Sequence, residues 1–349
     1  MYLLVARQLV IMLLIATAGF CVSKFFKFGN REQIFVSKTL LYFVNPALII
    51  TKFNGQTFQV QLLKNLGIMV LVSFVAHVAL TVVALVFVRS KNTEAKELDA
   101  IDRLGIVFTN CAFIGIPLIE GAFGDLPDNG GQNAIFYLLG YVIVFNIYLW
   151  TFGIKMFGGK INFLKVITNP NIVSVIAGVC LFCAPFELPQ IIAKPVEYIG
   201  EMTVGMSMLL LGMLFANYGK SEEIENALEN NCLKSSFDDD SNSAVKNKKT
   251  GKKYFGRVAK VCLLRCIVSP CFAFLFVLLF AKVFGWVEDI RLMSYVILIC
   301  VLCPIGMSVS SFAVLFNKDE SYSGLTVLAT SALCVVTIPA AIAAAEMIY

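Results

Sequence analysis

An all-α polytopic membrane protein is the fold class this sequence predicts, and three observations carry it. The 349 residues are 58% hydrophobic and only 15% charged, against roughly 25% charged in a soluble chain. Apolar runs of about 20 residues, the length that crosses a bilayer core, recur from end to end. Lys and Arg gather in alternate connections between those runs, which is a signal of membrane topology. The formal net charge of +5 is therefore no argument for nucleic acid.

Ten apolar segments are predicted, at 5–23, 34–51, 66–88, 104–123, 133–154, 171–186, 198–217, 258–284, 292–316 and 322–348. Arg7 and the small-residue stretch at 16–18 imitate a signal peptide. Nine similar runs follow, so 5–23 is read as the first membrane helix. Odd-numbered connections contain Lys24, Lys27 and Arg31, then Arg89, Lys91, Lys96 and Arg103, then Lys155, Lys160 and Lys165, then the run "KNKKTGKK" and finally Lys318. Even connections and the termini hold only Arg7, Lys52, Lys64, Lys194, Lys282 and Arg291. The positive-inside rule puts the odd connections in the cytoplasm and both termini outside. An even number of spans agrees. The expectation is a multi-pass protein of the plasma (inner) membrane, with the lipid bilayer as its first partner.

The polar stretch 218–256, acidic and then basic, is read as a mobile cytoplasmic loop. Its basic run is suited to contact with anionic lipid. Ten of the eleven cysteines fall in or beside apolar runs. The CxxC spacings at Cys180/Cys183 and Cys300/Cys303 lack histidine or charged neighbours, so these residues are read as small apolar side chains, with no metal site.

Segments four and nine look alike. The fourth reads "LGIVFTNCAFIGIPLIEGAFG" and the ninth "SYVILICVLCPIGMSVSSFAVLF". Each holds an in-span proline, Pro117 or Pro304, two residues from a glycine, Gly115 or Gly306. This predicts two five-helix repeats, 1–156 and 157–349. Pro117 and Pro304 stand 187 residues apart, and loop lengths are consistent with that register. Five spans per repeat is odd, so the repeats are inverted, the usual plan of a secondary transporter.

Proline cannot donate the helical hydrogen bond, so each proline segment is expected to open at Pro117 or Pro304. A break at membrane depth must lie inside protein or line a wet cavity. A fresh half-helix beyond it presents free N–H groups that favour an anion. The predicted binding residues are Asn110, Gly115, Ile116, Pro117 and Leu118 from segment four, and Pro304, Ile305, Gly306, Met307 and Ser308 from segment nine. Asn45 and Asn146 are polar within their spans and are added as candidates. Proline kinks also occur with purely structural roles. His77 and Glu120 are the coupling candidates, because ionisable groups inside a membrane point to function. Arg265, two turns into segment eight, either snorkels to the interface or helps attract an anion.

Motifs along nearly the whole chain resemble the auxin efflux carrier family, which includes plant PIN-type carriers and bacterial malate permease-like proteins. They are "VNPALI" at 44–49, "TNCAFIGIP" at 109–117, "TNPNIVSVIAG" at 168–178 and "VLCPIGMSVSSFAV" at 301–314. Where that family often has asparagine four residues after the second proline, Ser308 stands here. The resemblance implies ten helices with helices four and nine broken and crossing, a fold similar to that of the bile acid–sodium symporters. It also implies a scaffold beside a moving transport unit, and export or exchange of a small organic anion, auxin-like or malate-like.

The functional expectation is a secondary transporter working by alternating access, not an enzyme, with no cofactor and with proton coupling, sodium coupling or neither left open. A sodium-coupled importer of the bile acid symporter type is the first rival, and a membrane sensor is a weaker one. A homodimer and a monomer both fit.

Overall fold

The computed structural model describes residues 2–54, 56, 58–90, 93–124, 126, 130–159, 161, 163–184, 188–217, 250–316 and 318–348. Of the loop expected over 218–256, residues 218–249 lie outside these residues, and 250–256 are helical instead, forming the first turns of the helix Thr250–Leu263 that leads into the eighth span. Among the described residues seven helices are long and apolar enough to cross a membrane: α1 (Tyr2–Phe25), α2 (Arg31–Asn54), α3 (Val60–Phe87), α6 (Gly130–Met156), α8 (Gln190–Asn217), α9 (Tyr254–Val283) and α12 (Tyr322–Met347). Between them run shorter helices: α4 (Thr93–Val107), α5 (Cys111–Phe123), α7 (Pro170–Cys183), α10 (Ile290–Leu302) and α11 (Met307–Leu315).

Why α1 packs as it does is written in its spacing. Val5, Leu9, Met12, Ala16, Gly19 and Ser23 are buried at alternating steps of four and three residues, which lines one helix face. Leu3, Leu13 and Leu14 on the other faces are exposed, as suits a helix whose outer side meets lipid tails. Apolar attraction between helices is weak in lipid, so close backbone contact carries the packing. At Gly212 of α8 an added Cβ would collide with the Ala16 carbonyl oxygen. That glycine is what allows α1 and α8 to touch backbone to backbone.

Helices α1, α2, α7 and α8 pack on one another as one group. The other group is α3 with α4 and α6, and α9 with α10 and α12. Helix α5 bridges them, packing on α1 and α8 as well as on α6. The start of α1 meets the end of α12, where the Tyr2 N–H donates to Glu346 at 3.1 Å. That end of the bundle also holds Lys52 against Glu120, and the Leu188 N–H donating to Asn54. The opposite end holds Arg257, which donates to Asp99 and Asp102, and Asn217, which donates to Gln33. Odd connections therefore share one end and even connections the other.

One expectation is corrected here. Pro117 does not open its helix. The chain leaves helical geometry at Phe108–Asn110 and resumes at Cys111, well before the proline. A π-helical turn, Cys111–Gly115, leads straight into the α-helix that carries Pro117 in its first turn. Proline lacks only an N–H there, and the wide turn ahead of it accommodates the ring. The same device recurs, with π-turns Leu40–Val44 ahead of Pro46 and Leu264–Val268 ahead of Pro270. Pro304, by contrast, lies in the break between α10 and α11. The two prolines are thus not structural equivalents, and the register drawn through them is replaced. Thr109 faces Ile305 instead, as an antiparallel bridge.

Candidate functional site

The bridge sits where two interrupted helices meet. The Asn110 N–H donates to the Pro304 carbonyl at 2.8 Å, and the Gly306 N–H donates to the Phe108 carbonyl at 3.0 Å. Each break thereby satisfies part of the other's exposed backbone, which lipid could not do. Helix α12 supports the junction from behind. Its Thr330 hydroxyl accepts from the Ile305 N–H at 3.3 Å, and its Cys334 thiol donates to the Leu302 carbonyl.

A cavity of about 410 Å³ opens beside the bridge, a size typical of small-molecule sites. Its inner wall is Thr109, Asn110, Gly306, Met307 and Ser308. It runs to Gln33 and Lys38 near the odd-connection end, and much of the wall between is apolar, including Leu48, Val142, Phe145 and Phe312.

The polar groups in this wall are largely unpartnered. Asn110 Nδ2, Trp150 Nε1 and the hydroxyls of Ser308 and Ser310 are buried donors without a hydrogen bond; Asn45 Oδ1 and Asn171 Oδ1 are buried acceptors without one. Asn110 is 3% exposed and Asn171 2%. Each orphaned group carries a penalty of about 1–3 kcal/mol unless something in the cavity satisfies it. Helix α11 starts at Met307 in the same wall, and α5 starts beside Asn110. Two helix N-termini, with their partial positive charge, therefore border one space.

Of the residues expected from sequence, Asn45, Asn110, Ile116, Asn146, Gly306, Met307 and Ser308 line the cavity. Asn146 is partly occupied, its Nδ2 donating to the Val142 carbonyl at 2.9 Å. Gly115, Pro117, Leu118, Pro304 and Ile305 do not line it. They are buried in the packing around the junction: Gly115, Pro117 and Leu118 because the break lies earlier in segment four than the proline, Pro304 and Ile305 because they are taken up in the backbone pairing of the crossing. His77 is also apart from the cavity. It is fully buried, held by its Nδ1 at 2.7 Å from the Ser73 carbonyl and ringed by Phe108, Tyr141, Phe145 and Tyr148. Glu120 is paired with Lys52 at 2.7 Å, joining α5 to α2 at the even-connection end.

Arg265 neither snorkels nor lines the cavity. It is buried and donates to backbone carbonyls at the crossing. Lys38, Trp150 and Asn171 were missed as cavity residues. Lys38 had a visible signal, since it is a charge inside the apolar segment 34–51. Asn171 stood within the motif at 168–178.

Membrane-length helices around a cavity, with two interrupted helices meeting at its floor, define a membrane transport protein. The chain belongs to the family of that description, whose model matches residues 4–162 and 159–342, and which is the auxin efflux carrier family. A comparison with curated proteins gives no match.

Proposed function

We propose that this transporter exports or exchanges a small organic anion by alternating access across the plasma membrane. The observation that carries the reading is the set of buried, unpartnered donors in one wall: Asn110, Ser308 and Ser310 where α5 and α11 begin, and Trp150 of α6 beside them in the lining. Fixed donors beside helix N-termini favour a carboxylate. The apolar wall around Leu48, Val142 and Phe145 suits a carboxylate with an apolar body, such as indole-3-acetate, over a dicarboxylate such as malate.

The shorter α7 and the two interrupted pairs, α4–α5 and α10–α11, would bring the passes to ten, arranged as inverted repeats. The group α1, α2, α7 and α8 is the scaffold in this reading, the remainder carries the two interrupted helices, and the cavity lies between them, with Asn45 and Asn171 on the scaffold side. With the Lys- and Arg-rich connections in the cytoplasm, the mouth at Gln33 and Lys38 faces inward. Lys38 then serves as the first charge an anion meets.

Purified protein in liposomes loaded with labelled indole-3-acetate or malate tests this directly. Protein-dependent flux of one anion, reduced in Asn110→Ala, is expected. Absence of flux for both, under proton and sodium gradients of either direction, would sink the proposal.

A further inference from the structure

Arg265 heads the large side chains that are fully buried among the described residues, with 1% of its surface exposed. It projects from the π-turn Leu264–Val268 of α9. Its Nε donates to the Cys303 carbonyl at 3.1 Å and its Nη1 to the Ile106 carbonyl at 2.9 Å, while Nη2 reaches the carbonyls of Val301 and Cys303. These carbonyls lie at the ends of α4 and α10, where each helix breaks off. Helix C-termini leave such carbonyls unpaired and carry partial negative charge. A single guanidinium, with five donors in one plane, collects them. Among the described residues no ion pair reaches Arg265. Among the described residues, carbonyl dipoles are what compensate its charge.

Unwound carbonyls and half-helix C-termini at a crossing are the groups with which membrane transporters coordinate a free cation. Here a side chain fills that place. We infer that Arg265 is a tethered cation, occupying the carbonyl site of the crossing in place of a free alkali ion, so that an anion binds in the cavity without co-bound Na+. The geometry separates the two functions. C-terminal ends of α4 and α10 converge on Arg265, and N-terminal ends of α5 and α11 border the cavity. Neutralising the negative ends removes a field that would oppose an anion nearby. The cation half of this inference stands on the Arg265 contacts alone, and the anion half rests on the function proposed above.

Thermal unfolding of the purified full-length protein tests the cation half with no organic anion present. In NaCl, LiCl and choline chloride at equal ionic strength the native protein should unfold at one Tm. Arg265→Gln should unfold lower, and either NaCl or millimolar methylguanidinium should raise its Tm by roughly 2–4 °C while choline does not. A lost packing contact would not produce that dependence on cation identity. Stabilisation of the native protein by Na+ overturns the inference, and so does a folded Arg265→Gln that responds to none of these cations. Arg265→Lys keeps the charge and covers the case in which the glutamine variant does not fold. It should fold and ignore Na+; failure to fold, or a gained response to Na+, excludes the tethered-charge role.

Indole-3-acetate binding then tests the anion half. Arg265→Gln in choline should bind about tenfold more weakly, with Na+ restoring part of the loss. Unchanged affinity overturns that half. If the native protein binds neither indole-3-acetate nor malate while the cation results hold, the proposed function fails and the cation site stands.

Discussion

The Asn110 N–H donates to the Pro304 carbonyl at 2.8 Å, so residues from opposite halves of the chain complete each other's interrupted backbone. The same asparagine lines the cavity, and its side-chain Nδ2 is buried without a partner. The backbone of this residue is thus tied into the crossing, while its side chain is left free of any bond to the fold.

Asn110→Ala leaves the backbone hydrogen bond in place and removes an orphaned donor. Anion affinity is expected to fall about tenfold, matching a hydrogen bond of about 1–1.5 kcal/mol. Thermal stability should be unchanged or slightly higher. Binding titration and a melting curve on the same sample check both; a large Tm loss would show that the side chain supports the fold.

Gly306→Ala should act on the fold. An added Cβ would lie 2.9 Å from the Thr109 carbonyl oxygen and 3.0 Å from the Ser308 hydroxyl. Crowding of this kind costs about 1–3 kcal/mol. Gly205 of α8 has open space around it, so Gly205→Ala is the matched control. The Tm should fall for Gly306→Ala alone.

The Lys52–Glu120 pair ties α2 to α5 at the end away from the cavity mouth. Both side chains are about a third exposed, so breaking the pair should change stability by less than about 1 kcal/mol. If α2 and α5 separate when the site opens outward, Glu120→Gln should favour that state. Labelling of a Ser308→Cys probe by an impermeant reagent from the even-connection side should then quicken. An unchanged labelling rate would remove the pair from the gating step.

His77 makes its Ser73 contact inside a cage of aromatic rings, away from the cavity. His77→Phe keeps the ring and removes the titratable group. The pH profile of transport is expected to match that of the native protein. A flattened or displaced profile would make His77 the coupling residue.

Much of the architecture was legible in the chain. Hydropathy reports the free energy of placing each stretch in lipid, a local property, so the apolar segments and the alternation of Lys and Arg could be read directly. Asn110, Gly306 and Ser308 could also be singled out, because polar and small residues are conspicuous in an apolar run. What tertiary structure decided was where the helices break and what answers the break. Pro117 looked like the interruption, yet a π-turn absorbs it. The real opening at Phe108–Asn110 exists because a distant segment, Cys303–Gly306, supplies the matching backbone partners. Arg265 looked like a charge in search of an interface, and became the cap on two helix ends only once α4, α9 and α10 met. Hydrogen bonds between segments nearly two hundred residues apart leave no periodicity in the sequence, so packing alone could assign them.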